Sequence, residues 1–310
     1  MFSLYASSKE IDFVLSVDWE GDSLSPENIQ AMQNFREKHP EIKHVHFLNA
    51  AYFTADLSLS KKQIIERIQS VLRPGDEIGL HIHPWKHFVD AAGVVYRQGP
   101  RYLGEKYTHH FTKTPGGDVP LFAYSFDEIR KMIQYSKQIL EQNGFGPITS
   151  FRAGGWMASA KVRAALAIEG IAFESSAVPA QLVAQLYPKT LLSHWAKKIW
   201  SNISLQTQPF QMITKESSIM QFPNNMGLAD YVSFEYFFKL LEILNKDKKN
   251  SEPLYLHYGY HQESAAIYIH EVDKILSRLK NDFLVKPKGL LELNQRYQKK
   301  AQIKLCLSLF

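Results

Sequence analysis

The stretch EIGLHIHPW, residues 77–85, decides the fold, because it has the pattern of a short apolar strand that ends in two histidines. Side chains two positions apart on a strand point to the same face, so His81 and His83 should project together. Pro84 has no N–H to donate to a neighbouring strand, which places the pair at the carboxyl end of its strand. Parallel α/β folds build their sites at such ends, and neutral imidazole is a common zinc ligand. Two buried histidines with ordinary hydrogen-bond partners are the alternative.

The segments on both sides of this stretch alternate between strand and helix patterns. Residues 11–20 (IDFVLSVDWE) form an apolar run that ends in acids, and residues 44–53 form the next apolar run. A serine of N-cap type opens a helix pattern after each of them. Such alternation predicts parallel strands with right-handed crossovers, and it continues for about seven strands. We therefore expect an α/β fold, an irregular (β/α)7-type barrel, as a single domain over residues 1–310.

Two segments break this alternation. Residues 86–124 are rich in Gly, Tyr, His and Pro and form a long insertion loop straight after the histidine pair, so we expect a lid or a substrate wall. Its histidines, His87, His109 and His110, are expected to face solvent or substrate. Residues 295–310 form a tail that is basic and then apolar. A final strand or packed tail is favoured there, and peripheral contact with a membrane surface is the alternative.

Composition excludes several classes of function. The net charge of +5 is mild and its Lys and Arg residues are scattered, whereas a nucleic-acid footprint needs a concentrated basic stripe, so no nucleic-acid partner is expected. Cys306 is the only cysteine, which excludes intramolecular disulfides and cysteine-based zinc fingers. No run of apolar residues is long enough for a transmembrane segment. The N-terminal residues lack the pattern of a secretory signal, so we predict a cytoplasmic protein.

Four predicted strands end in polar side chains that an apolar barrel does not need. They are Asp18 with Glu20, His81 with His83, Arg152, and His257 with His261. Buried charges are costly unless they are paired or bound to metal, so we expect these groups to converge at one mouth of the barrel. Two histidines and one carboxylate make a three-ligand zinc site, and a further histidine can act as general acid. Since Asp18 and Glu20 lie two residues apart, either can bind the metal while the other accepts a proton.

Five motifs resemble, in order and spacing, those of the polysaccharide deacetylase family, the NodB-homology group of carbohydrate esterase family 4. They are SVDWE (16–20), EIGLHIH (77–83), FRAGGW (151–156), ESSAVP (174–179) and LHYG (256–259). The resemblance covers roughly residues 11–290. It implies an irregular barrel that removes N- or O-acetyl groups from glycans with a divalent metal, most commonly Zn²⁺.

The resemblance also implies a role for each motif residue. Asp18 would be the general base, Glu20 the metal carboxylate and His81 the first metal histidine. Arg152 would orient and charge-pair the base, and His257 would protonate the leaving group. The exchanged assignment, in which Asp18 binds the metal and Glu20 is the base, is the alternative.

The second motif departs from the family pattern, in which the two histidines lie four residues apart. Trp85 stands at the strict place of the second histidine, so His83, or as an alternative His87, would have to bind the metal. The first motif is Asp-x-Glu instead of adjacent acids or Asp-x-Asp. This His-x-His-Pro-Trp pattern is similar to a divergent subgroup found among lipopolysaccharide and capsule biosynthesis genes.

Further motif residues are candidates for substrate contact. Trp85, Trp156 and Tyr258 are expected to form an apolar wall against a sugar ring, with plain core packing as the alternative. Glu174 is expected to support Arg152 or the substrate. His261 is expected to lie outside the metal ligands.

The favoured function is therefore a metal-dependent carbohydrate deacetylase that serves cell-surface polysaccharide synthesis. One alternative is a non-sugar amide hydrolase, since allantoinase-like proteins share the family fold. The other is a metal-free descendant that only binds glycans, which the altered second motif keeps open.

Overall fold

The structure is a computed structural model that describes residues 9–103, 115–213, 218–246 and 253–297, together with the backbone of residues 305–306. The strands are β1 (Glu10–Asp18), β2 (His44–Leu48), β3 (Glu77–Ile82), β4 (Ser150–Ala153), β5 (Phe173–Glu174), β6 (Phe210–Ile213), β7 (Ser218–Gln221), β8 (Leu254–His261), β9 (Leu284–Pro287) and β10 (Leu305–Cys306). The helices are α1 (Pro26–Lys38), α2 (Lys61–Gln69), α3 (Lys86–Ala91), α4 (Phe126–Gln142), α5 (Ala160–Ile168), α6 (Ala180–Leu186), α7 (Leu191–Ile199), α8 (Phe234–Lys246), α9 (Ala265–Asp282) and α10 (Leu290–Tyr297).

The strands form one sheet in the order β10-β6-β7-β5-β4-β3-β2-β1-β8, and β9 also pairs with β1. Neighbouring strands are parallel except β6 and β7, which are antiparallel. The strands at the centre of the sheet are buried along nearly their whole length, as a parallel sheet covered on both faces requires. Because the strands are parallel, the carboxyl ends of β1, β3, β4 and β8 lie at the same edge.

The segment after β7 closes the sheet onto β8. Met226 N donates to the carbonyl of His257 at 3.0 Å, and Gly259 N donates to the carbonyl of Gly227 at 3.1 Å. The sheet thus curls into a barrel whose last gap is bridged by irregular backbone instead of a regular strand. The prediction of an irregular α/β barrel is confirmed.

The helices begin where the sequence places their caps. Ser25 accepts a hydrogen bond from the N–H of Asn28 at the start of α1, with Pro26 at the first helical position. Ser60 and Ser125 each form a capping box at the start of α2 and α4. These caps fix the direction in which each helix returns across the sheet.

The segment predicted as a long loop has more structure than the sequence indicates. It begins with the helix α3. Lys86, the first residue of this helix, donates its backbone N–H to the carbonyl of Pro115 at 2.9 Å, so the later part of the segment folds back onto the end of β3. Tyr102 N likewise donates to the carbonyl of Asp118 at 2.9 Å. His109 and His110 lie outside the described residues.

Two residues of the tail form a short strand. Leu305 and Cys306 pair with Met212 and Ile213 of β6. The remaining residues after Tyr297 lie outside the described part of the chain. Among the helices that the structure describes, none combines the length and the apolar character that crossing a membrane needs.

Candidate active site

A cavity of about 620 Å³ opens at the carboxyl edge of the sheet. Side chains that follow β1, β3 and β8 line it, together with residues of the segment between β5 and β6. Asp18, Glu20, His81, His83, Trp85 and Trp156 are the sequence-predicted site residues among them. Of the seven polar side chains expected to converge at one mouth of the barrel, five line this cavity and two, Arg152 and His257, do not.

Strand register explains why Glu20 meets His81. Asp18 lies opposite Phe47 of β2, and Phe47 lies opposite Gly79 of β3. Glu20 and His81 each follow two residues later, so they reach the same level above the sheet. His83 lies one further alternation along and points to the same side.

The side chains of Glu20, His81 and His83 form a cluster with metal-ligand chemistry. One ligand atom from each lies within 4.8 Å of the others. His83 Nε2 lies 2.6 Å from Glu20 Oε2, and His81 Nε2 lies 3.4 Å from Glu20 Oε1. Both histidines are buried, with 2% of each exposed.

The second nitrogen of each imidazole is held by a backbone carbonyl. His81 Nδ1 donates to the carbonyl of Arg152 at 2.9 Å, and His83 Nδ1 donates to the carbonyl of Gly117. In the neutral rings these bonds leave Nε2 as an acceptor, which is the usual arrangement of metal-binding histidines. Two acceptor nitrogens then face the carboxylate of Glu20, and either a proton or a shared cation can bridge them. The donor set therefore fits a divalent metal such as zinc.

The charges within the cluster favour a protonated His83 and an ionised Glu20. Burial alone would lower the pKa of His83, but the Glu20 carboxylate beside it raises that pKa above the ordinary value. Burial alone would raise the pKa of Glu20, but His83 and His81 hold it well below its usual range. The carboxylate is thus kept ionised in a buried position.

Two glycines of the FRAGGW motif make room for this cluster. A Cβ atom on Gly154 would lie 2.5 Å from Cε1 of His83, so only glycine lets the imidazole pack there. Gly155 and Trp156 both have positive φ, at 59° and 60°, which turns the chain after β4 and brings the Trp156 ring to the cavity. The motif thus serves the site through backbone shape.

Asp18 and Arg152 form a buried ion pair beside the cluster. An Arg152 guanidinium nitrogen lies 2.7 Å from Asp18 Oδ1, and the same nitrogen donates to the hydroxyl of Ser16 at 2.8 Å. The other terminal nitrogen donates to the hydroxyl of Ser175 at 2.9 Å. Asp18 lines the cavity together with the Glu20, His81 and His83 cluster, and Arg152 orients its carboxylate.

His257 does not reach the cavity, which corrects its predicted role as proton donor. In the pairing of β1 with β8 it lies opposite Val14, four residues deeper than the level of Asp18. Its Nε2 accepts a hydrogen bond from Arg152 at 2.9 Å, and its side chain is fully buried. Burial and the Arg152 charge hold the pKa of His257 well below its usual value. It is a neutral acceptor that helps to fix Arg152.

His261, instead of His257, is the histidine of β8 that reaches the cavity. It lies opposite Asp18 in the strand register and lines the cavity. Its Nε2 lies 3.2 Å from Glu20 Oε1, and its Nδ1 lies 3.1 Å from Asp230 Oδ2. Burial alone would lower the pKa of His261, but the Asp230 and Glu20 carboxylates raise it to about 10. Sequence reasoning placed His261 outside the metal ligands but missed Asp230, whose segment has no periodic pattern.

Two predicted substrate contacts are corrected by their positions. The hydroxyl of Tyr258 donates to the carbonyl of Val232 at 2.5 Å, and the side chain packs inside the barrel wall. Glu174 is fully buried and accepts a hydrogen bond from Ser176 N at 2.7 Å. Neither side chain lines the cavity, because alternate residues of a strand point away from it.

Other aromatic residues line the cavity and were missed by the sequence reasoning. Tyr102, Tyr187 and Tyr231 belong to segments without helical or strand periodicity, so only their residue type was a signal. The Tyr231 ring stands edge-on to His261 at 5.6 Å between ring centroids and edge-on to Trp156 at 6.4 Å. His87, the alternative metal ligand, instead contacts Thr54 Oγ1 at 2.8 Å through Nδ1 and is outside the metal cluster.

Solved structures with the same fold exist for several proteins. A protein from Mycobacterium smegmatis assigned as a polysaccharide deacetylase superposes with a TM-score of 0.61 at 12% identity, over 99% of this chain and 97% of that one. A 4-alpha-glucanotransferase from Thermococcus litoralis superposes with a TM-score of 0.54 at 10% identity, over 94% of this chain and 41% of that one. A family 4 carbohydrate esterase from Streptomyces lividans gives a TM-score of 0.46 at 11% identity, over 92% of this chain and 94% of that one.

No protein-family model matches this sequence, and no curated protein matches it. At 10–12% identity the first two superpositions establish the fold, and that fold is the one which the five sequence motifs predicted. The glucanotransferase shows that more than one chemistry uses this barrel, so the activity has to be argued from the site.

Proposed function

We propose that this protein is a metal-dependent hydrolase that removes an N-acetyl or O-acetyl group from a sugar or polysaccharide. The observation that carries the proposal is the grouping of three elements on one cavity. A Glu20, His81 and His83 cluster lies beside an arginine-held carboxylate and beside a histidine–aspartate pair. These are the parts that hydrolysis of an acyl group needs: a cation site, a base and an acid.

Glu20, His81 and His83 would hold the metal, for which zinc is the first choice because the set is two imidazoles and one carboxylate. When bound, the metal would supply Lewis acidity toward a water molecule and toward the acyl oxygen of the substrate. The chain's own task is to keep Glu20 ionised and both Nε2 atoms directed at one point. The carbonyls of Arg152 and Gly117 do this by fixing the two imidazole rings.

Asp18 is proposed as the general base. It lines the cavity, and Arg152 holds its Oδ1 while also donating to Ser16, so the carboxylate cannot turn away. The two carboxylate oxygens of Glu20 each face one Nε2 atom of the histidine pair, whereas Asp18 pairs with Arg152. This contact supports Glu20 as ligand and Asp18 as the group that takes the proton from water.

His261 is proposed as the general acid. Its Nδ1 hydrogen is directed at Asp230, which orients the ring and leaves Nε2 facing the cavity beside Glu20. The Asp230 carboxylate beside Nδ1 raises the pKa of His261, which favours the protonated ring. A protonated Nε2 can donate to the leaving amine or alkoxide, as the histidine of a general acid must.

The substrate class follows from the walls of the cavity. Trp156 and Tyr231 present aromatic rings, and pyranose rings stack on such surfaces. The Glu20, His81 and His83 cluster lines the same cavity, where the acyl group would meet it. A sugar with an N-acetyl group is therefore the substrate that we favour, and the resemblance of the His-x-His-Pro-Trp motif favours cell-surface polysaccharide synthesis. The cytoplasmic location stays a prediction of the sequence.

The test is acetate release from a panel of substrates by protein reloaded with zinc. The panel contains N-acetylated and O-acetylated sugars and oligosaccharides, with allantoin as the ureide control. We expect acetate from at least one acetylated carbohydrate and no turnover of allantoin. The Asp18→Asn variant, assayed in parallel, separates enzymatic release from spontaneous hydrolysis. Turnover of allantoin alone would favour the amide hydrolase. A wild type that neither binds zinc nor turns over any substrate would favour the metal-free glycan-binding alternative.

A further inference from the structure

We propose that Trp85, together with Asn49, is a positioning residue that holds the backbone of Glu20 and so sets the affinity of the site for its metal. This inference rests on the proposed function, because it assumes that Glu20 is a metal ligand. It concerns the tryptophan that stands where the sequence pattern led us to look for a second histidine.

The carbonyl of Glu20 is held by two side chains. Trp85 Nε1 donates to it at 2.7 Å, and Asn49 Nδ2 donates to it at 2.8 Å. The N–H of Glu20 points to the Glu263 carboxylate, whose two oxygens each lie 3.1 Å away. Both polar atoms of the Glu20 backbone are therefore fixed by side chains.

This clamp replaces the strand ladder at the position where the ladder ends. The last ladder pair of β1 is Asp18, and Trp19 N still donates to the carbonyl of Phe47 at 3.0 Å. Glu20 comes next, and it is followed by Gly21 with a φ of 85°. A ligand on unpaired backbone beside a left-handed glycine would have to be ordered when the metal binds, and that ordering would weaken affinity.

Trp85 also couples this clamp to the histidine ligands. The backbone N–H of Trp85 donates to the carbonyl of His83 at 2.8 Å, and the centroid of the indole ring lies 6.0 Å from that of the His83 ring. Trp85 is 1% exposed, so its indole N–H is shielded from water. Loss of its hydrogen bond to Glu20 would therefore be costly. The segment that carries both histidines thus also holds the carbonyl of the third ligand. A shift of either part would move all three ligands relative to one another.

The test compares zinc affinity in Trp85→Phe and Trp200→Phe. Trp200 is a matched control, because it is 2% exposed and its Nε1 also donates to a backbone carbonyl, that of Trp156, at 2.9 Å. Zinc dissociation constants are measured on metal-free protein by competition with a chromophoric chelator, and melting temperatures are measured beside them. We expect zinc affinity to fall about 10-fold or more in Trp85→Phe, as for other groups that orient metal ligands. Trp200→Phe should lower the melting temperature and leave zinc affinity unchanged.

Equal zinc affinity in Trp85→Phe and wild type would overturn the inference and leave the proposed function standing. Failure of the wild type itself to bind zinc would overturn both. If Trp85→Phe does not fold, Asn49→Asp takes its place. That variant removes the other donor to the Glu20 carbonyl and keeps an oxygen for the N–H of Ala51, which Asn49 accepts at 3.0 Å. It should lose zinc affinity too, and unchanged affinity would again overturn the inference.

Discussion

Asp18 lies directly opposite His261 in the pairing of β1 with β8, at the carboxyl edge of the sheet. His257, on the same face of the same strand, lies four residues deeper and serves Arg152. The proposed base and acid therefore stand on neighbouring strands at one level, with the Glu20 cluster above them. This register, more than any single motif, defines which side chains can act on one substrate.

Replacing each of the two histidines of β8 by alanine should have different consequences. His261→Ala removes the proposed acid, so turnover should fall on the order of 10²- to 10⁴-fold. His257→Ala leaves a buried guanidinium nitrogen without its acceptor, so the free energy of unfolding should fall by about 1–3 kcal/mol. Acetate release and urea unfolding of both variants check this. A smaller loss of turnover in His261→Ala than in His257→Ala would contradict the assignment.

Asp18→Asn should separate catalysis from metal binding. The amide keeps the size of the side chain but cannot accept a proton from water, so turnover should fall on the order of 10²-fold or more. Zinc content should stay near that of the wild type, because Asp18 lies outside the ligand cluster. Acetate release and elemental analysis on the same preparation provide both readouts. Loss of zinc with retained acetate release would favour the exchanged assignment of Asp18 and Glu20.

The pH dependence of turnover should report the His261–Asp230 pair. The Asp230 carboxylate raises the pKa of His261, and a general acid loses activity as pH rises through its pKa. Asp230→Asn removes that negative charge, so the pKa of His261 should fall and the alkaline limb of the turnover–pH profile should move to lower pH. An alkaline limb at the same pH in both proteins would show that another group donates the proton. The melting temperature of the variant serves as the control for folding.

A buried ion pair remote from the cavity should determine part of the acid stability. Asp76 accepts two hydrogen bonds from Arg36, each 2.9 Å long, and also lies 3.3 Å from His46 Nε2. Burial alone would raise the pKa of Asp76, but the hydrogen bond to His46 and the neighbouring charges lower it strongly. A lowered folded-state pKa contributes stability above the unfolded-state pKa of about 4, and this contribution is lost as pH falls through that value toward the folded-state pKa.

The Asp76→Asn variant tests this contribution. At pH 7 it should lose about 3–5 kcal/mol of unfolding free energy, because Arg36 is left buried without its carboxylate. The difference from wild type should shrink as pH falls below about 4, where the Asp76 carboxylate of the unfolded wild type begins to be protonated. Urea unfolding at several pH values measures it. A difference that is constant across this range would show that the pair is not the origin of the pH dependence.

The regular parts of the chain were predictable from sequence because their signals are local. The apolar runs of β1 and β3, the serine caps and the spacing of His81 and His83 each act through neighbouring residues. The alternation of strands and helices then fixes parallel pairing, which brings Glu20 to the histidines.

The rest of the site depends on register and on irregular backbone. His257 and His261 share one face of β8, so only the pairing with β1 shows which of them reaches the cavity. Asp230 and Tyr231 come from the segment that closes the barrel without a regular strand, where no periodic pattern exists to read. The role of Trp85 depends on where the Glu20 carbonyl points, which residue type alone does not indicate.

The most direct test of the account is the metal content of wild type and His83→Ala, purified without chelator and measured by elemental mass spectrometry. The account predicts close to one zinc per chain in the wild type and its loss in the variant, because His83 Nε2 faces Glu20 at the centre of the cluster. A wild type that holds no metal even after zinc is supplied would contradict the hydrolase mechanism and leave a glycan-binding protein as the better description.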